Sequence, residues 1–222
     1  MGQIMHRFAA FLLFCTTAAP GFQESQAPTI SQPEKDVYVI YSRMLTDPKT
    51  SHGPDNNDRY LIADTTAPAH PPEPCITPPK ERQNEFREVL SDYERRKGKP
   101  RELKPLFAIR KPYLLLNAEE VKAFQADRWA TLEPRVPDER FRGVTDLFTL
   151  SDVYFNHAHT LALTAISNWC GSLCALYQWK VFEKVGTDGW VERQWVGCIT
   201  IADARLPFPA DSPREDFTGA IQ

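Results

Sequence analysis

Glycine is scarce in this chain. Ten glycines in 222 residues form neither a Walker loop nor a dinucleotide fingerprint, which excludes the conventional nucleotide-dependent enzymes. No G-x-S-x-G elbow occurs, so a serine nucleophile on a strand-to-helix turn is excluded as well. An excess of one charge is also missing: 26 basic side chains face 29 acidic ones, for a net charge of −3 and a pI near 6.0. Without a basic footprint, nucleic acid and anionic membrane are poor partners. No apolar run approaches the ~20 residues needed to span a bilayer. Proline is what the chain has in plenty, nineteen residues, and it points to stiff, extended connections. An apolar share of 42% is enough for a packed core and excludes a wholly disordered chain.

The first residues read as a secretory signal peptide. Arg7 precedes the apolar stretch Phe8 to Cys15, and small residues follow from Thr16 to Ala19. Cleavage after Gly21 places Ala19 and Gly21 at the two small positions. Lipidation at Cys15 is disfavoured because bulky Phe14 precedes it. Removal of residues 1–21 leaves 25 basic against 29 acidic side chains, an acidic exported protein in a periplasmic or secreted, bacterial setting. Export leaves Cys75, Cys170, Cys174 and Cys198 in an oxidising compartment. Cys170 and Cys174 lie within Cys-Gly-Ser-Leu-Cys, where Gly171 lets the chain bend far enough for a disulfide, and Cys75 and Cys198 are left as a second candidate pair. Three intervening residues and the lack of a βαβ setting argue against thioredoxin-like chemistry. No histidine lies close enough in sequence to that loop to suggest zinc.

Residues 22–32 form a polar lead. A helix from about Glu34 to Leu45 follows, with Val37, Ile40, Tyr41, Met44 and Leu45 on one stripe and Ser31 with Glu34 as a capping box. Tyr60 to Thr65 reads as a short strand. Six prolines at 67–79 prevent a place in a sheet interior and give a stiff surface loop. A second helix spans about Lys80 to Lys97, with Phe86, Val89, Leu90 and Tyr93 inward, a Glu/Arg-rich solvated face, and Gly98 as its stop. Tyr113 to Leu116 leads into a third helix, capped by Asn117 and Glu120 and stapled by Leu116 and Val121.

From residue 147 to 200 the period becomes two. Strands are expected at Leu147 to Phe155, Thr160 to Asn168, Leu176 to Val185 and Trp190 to Thr200, joined by turns short enough to require antiparallel pairing. The fold class is therefore α+β: N-terminal helices packed on one face of a C-terminal antiparallel sheet of four, at most five, strands. Residues 33–205 make one domain, and 206–222 a frayed tail. The residues Phe155-Asn156, Thr160, Ala162, Cys170-Gly171 through Cys174, Phe182-Glu183-Lys184 and Gly189-Trp190 together resemble a family of uncharacterised exported bacterial proteins. That family has a Phe-Asn, Cys-Gly-x-x-Cys, Lys and Gly-Trp β-meander. The resemblance covers about residues 145–200, implies the fold and export, and brings no catalytic residue.

Three sets of side chains are candidates for function. His157 and His159, with Asp152 or Asp146, have the residue types of a metal site but fall at a turn, where polar groups simply meet water. Adjacent carboxylates such as Glu119-Glu120 and Asp138-Glu139 point apart and serve better as helix-start or loop charges. Trp190 and Trp195 stand an odd number of residues apart on one strand, so one is expected to face solvent and bind a ligand. The expected role is a non-enzymatic exported binding or interaction module without a cofactor. The alternative is a periplasmic hydrolase, metal-dependent or not, whose site residues are dispersed.

Overall fold

A computed structural model of the chain describes residues 30–47, 58–72, 76–129, 138–171, 174–187, 189–197 and 200–201. Cys75, Cys198, the signal segment and the tail from 206 lie outside the described residues. The unit from Ser31 to Gln222 holds every described element. Its helices are α1 (Gln32–Thr46), α2 (Gln83–Arg96) and α3 (Ala118–Trp129). Its strands are β1 (Tyr60–Ala63), β2 (Tyr113–Leu116), β3 (Leu147–Leu150), β4 (Tyr154–Phe155), β5 (Leu161–Gly171), β6 (Cys174–Val185), β7 (Gly189–Arg193) and β8 (Thr200–Ile201). No helix among the described residues is long and apolar enough to cross a membrane.

The class is α+β, and the sheet is larger than expected. Its eight strands run in the order β2-β1-β3-β5-β6-β7, with β4 on β5 and β8 on β6. The antiparallel meander of β3 to β7 is extended by β1 and β2, both parallel to β3. Parallel neighbours need long crossovers. The segments carrying α2 and α3 supply them, which is why two short upstream strands join a sheet that looked complete without them.

Helices cover both faces, not one. The first nine residues of β5 are all buried. Alternation places Leu161, Leu163 and Ala165 with Trp179 and Val181 of β6 against Phe86, Val89 and Tyr93 of α2. Ala162 and Ile166 with Phe182 and Trp190 join Val37, Tyr41 and Met44 of α1 on the other side. A strand apolar on both faces must be covered on both. α3 closes a third cluster, where Phe124 meets Phe141 and Trp169.

Two turns depend on single residues. Asn156 Oδ1 accepts the Thr160 N–H at 2.8 Å and the Leu161 N–H at 2.9 Å, which shapes the connection from β4 to β5. At the β6–β7 hairpin Gly186 has φ +70°, and a Cβ on Gly189 would stand 2.6 Å from the Val185 carbonyl oxygen. The Asn117–Glu120 capping box forms in both directions, with all three bonds at 3.0 Å. Ser31 caps α1 by position alone, since its side chain makes no cap hydrogen bond.

The described parts of the proline-rich segment, residues 67–72 and 76–79, touch the core at several points. Ile76 pairs with Val196 and is buried in the α2-side cluster. The Tyr93 hydroxyl donates to the Ala69 carbonyl, and the His70 N–H donates to the Tyr177 hydroxyl, each at 3.1 Å. At the far end of β5, Cys170 and Cys174 are disulfide-bonded, their Cα atoms 5.1 Å apart. The pairing of β5 with β6 shifts register there, between Trp169 and Gly171.

Candidate functional site

The expected first strand of the meander is interrupted where chemistry gathers. Between β3 and β4, Ser151 keeps its ladder bond to Ala165 at 2.9 Å, and Asp152 is buried. The Asp152 Oδ1 accepts its neighbour's Val153 N–H at 2.8 Å, which takes that amide out of the ladder. Interruptions of this kind re-aim side chains.

Asp152 belongs to an ion network whose carboxylates are buried and whose arginines stay partly exposed. Arg96, in the last turn of α2, donates through Nη1 to Asp152 Oδ2 at 2.6 Å and through Nη2 to Asp92 Oδ2 at 2.8 Å. Its Nη2 also reaches the Val153 carbonyl. Asp92 further accepts Arg95 Nη2 at 2.7 Å and the Phe155 N–H at 3.0 Å. Arg101 Nη1 approaches Asp152 Oδ1 at 3.5 Å, while the buried Arg101 Nη2 has no hydrogen-bond partner. Below this layer the Tyr41 hydroxyl donates to the Ser151 carbonyl at 2.7 Å. Burial raises the Tyr41 pKa well above its ordinary value, Arg101 opposes that rise, and Asp152 adds to it. Tyr154, under the Arg96 guanidinium at 5.2 Å, is raised by burial first and by Asp152 second.

Above the network lies a cleft of about 660 Å³. Its walls are the start of α1 (Ser31 to Val37), the end of α2, residues 101–104 and the turn 153–159. That volume falls within the ~300–1,000 Å³ of small-molecule sites.

Of the metal candidates, His157 and His159 line this cleft, but Asp152 faces the arginines instead. His157 is exposed, with its Nδ1 3.3 Å from Glu88 Oε2. His159 adopts φ +52° and stacks on Phe155 at 4.8 Å between ring centres. Asp146 is buried away from this group, beside Thr145. Among the described residues no three His, Cys, Asp or Glu side chains gather as a metal site. Trp190 has no exposed surface and sits in the α1-side core, with the Lys184 ammonium 5.6 Å from its ring centre. Trp195 is half-buried against the opposite cluster, so the two tryptophans do separate between faces.

The arginines and Lys104 were not legible as a site, because charged residues on helix faces usually just meet water. One signal was present. Asp92 and Arg96 stand three and seven residues after Val89, and so extend the apolar stripe of α2 with an ion pair. No protein-family model, no curated protein and no solved structure matches this chain.

Proposed function

We propose that this protein is an exported, non-enzymatic binding module whose ligand occupies the cleft above the Asp92–Arg96–Asp152–Arg101 network. That network carries the proposal. Buried ion pairs cost desolvation that attraction barely offsets, and apolar replacements often stabilise as well or better. An ion network on the floor of a cleft is therefore better explained by what it positions than by the stability it adds. Export is supported by the disulfide and by the signal-like start of the sequence. Membership of the exported family with the Phe-Asn and Gly-Trp meander is part of the same proposal.

The test is a ligand screen by thermal shift, followed by Ser31→Trp, which places a bulky ring at the cleft wall on a side chain that makes no cap hydrogen bond. Ligands found should lose affinity in that variant. A ligand unaffected by it, or stoichiometric transition metal in the purified protein, would overturn the reading. One observation favours a second reading, a hydrolase: the His157–Glu88 pair at the rim could serve as a general base. Turnover that His157→Ala abolishes would select it.

A further inference from the structure

Resting on the cleft as the binding site, we propose that its ligand presents a compact oxyanion, a carboxylate or a phosphate, seated against Arg101. The argument is one of hydrogen-bonding valence, because the formal charges of the lining nearly balance. The floor carboxylates are engaged: Asp92 by Arg95, Arg96 and the Phe155 amide, and Asp152 by Arg96, Arg101 and the Val153 amide. Glu34 holds the Lys104 ammonium at 2.7 Å. Unused capacity therefore lies mostly with donors. Lys104 has further N–H groups beyond that single bond, Arg95 is largely exposed beyond its bond to Asp92, and Arg101 Nη2 is buried with no partner. A shielded guanidinium donor without an acceptor is costly and rare, and a ligand oxygen reaches it by rotation of the Arg101 guanidinium, whose side chain is about one-third exposed.

Two further features agree. The N-terminus of α1 opens on the cleft, where Gln32 and Glu34 carry orphan N–H donors, Pro33 has none, and Ser31 supplies no side-chain cap. Asp152 draws Arg101 Nη1 to 3.5 Å, and a guanidinium is suited to planar recognition of an oxyanion. Glu102, exposed at the rim, would repel a second anionic group next to the first, which favours a ligand with a single compact anionic head.

Amide chemical shifts of the purified exported protein, titrated with inorganic phosphate and separately with propionate, decide the matter. The amides of Arg101, Asn156 and His157 should shift, and Arg101→Gln should weaken binding about tenfold or more. A response to only one of the two probes identifies the head group and supports the proposal. Failure of both probes to shift these amides overturns it, as does unchanged affinity in a folded Arg101→Gln. Should that variant not fold, the Arg95→Gln/Lys104→Gln double variant decides, since both side chains are exposed: an affinity loss supports the proposal and no change overturns it. A neutral compound that shifts the same amides when neither anion does would leave the cleft reading standing and overturn the oxyanion alone.

Discussion

At the scale of single residues, the molecule depends on polar groups that hold irregular backbone. Asn156 satisfies two backbone N–H groups at the start of β5, at 2.8 and 2.9 Å. Asn156→Ala strands both in a buried place and is expected to cost about 3 kcal/mol, read as a lower denaturant midpoint. Asp152 differs in kind, because its partners are charged. Removing one member of a buried ion pair costs about 3–5 kcal/mol, and the low end applies here because Arg96 and Arg101 remain about one-third exposed. Asp152→Ala should therefore lose about 3 kcal/mol, whereas Asp152→Asn, which still accepts a hydrogen bond, should lose less. Equal losses for the two variants would mean that the charge carries the whole effect and the retained volume and acceptor none.

At the scale of elements, the helices and the meander were legible because each carries its own period. Val37 to Leu45 and Phe86 to Tyr93 repeat at helical spacing, and Leu176 to Val185 alternates. What was not legible lies in partners far along the chain. Leu61 and Ile62 pair with Leu147 and Phe148, and no local pattern announces a parallel neighbour. Trp190 read as a candidate surface ring because alternation gives opposite faces without saying that both are covered. The cleft was hidden for the same reason: Glu34, Arg96, Arg101 and His157 meet only when the layers close. The proline-rich segment gives a test at this scale. Ile76 is buried in the α2-side cluster and bridges to Val196, so Ile76→Ala should cost about 2 kcal/mol despite its place among prolines. A loss near zero would return the segment to a loose surface connection. The Cys170–Cys174 loop is small, and the chain-entropy model limits its contribution to about 2 kcal/mol. The loop sits at the opposite end of β5 from the Asn156 turn, about 30 Å away by strand rise. Cys170→Ser with Cys174→Ser should thus lower the melting temperature modestly and leave cleft binding unchanged. A changed affinity would show that the register of β5 reaches the site.

At the scale of the whole molecule, two helical layers on one mixed sheet bury tyrosines on both sides, and this sets the alkaline limit of stability. Tyr41 lies in the α1-side cluster, and Tyr154 and Tyr177 lie in or against the α2-side cluster. Burial is the largest cause of the raised pKa at all three, and Tyr93 moves in the same direction for the same reason. An unfolded tyrosine ionises near pH 10. Below that pH the folded and unfolded chains hold the same phenolic protons, and these groups contribute no pH dependence. Above it the unfolded chain releases protons that the folded chain retains, so stability falls as pH rises. The fall should be cooperative, because exposing Tyr41 opens one layer and exposing Tyr154 or Tyr177 opens the other, while β5 contributes to both. Tyr41, Tyr154 and Tyr177 should ionise only together with loss of the near-ultraviolet circular dichroism of the packed aromatics. Phenolate absorbance and circular dichroism followed on one pH series check this. If these three ionised near pH 10 with the aromatic signal intact, the two layers would not be closed over the sheet in the way that also builds the cleft.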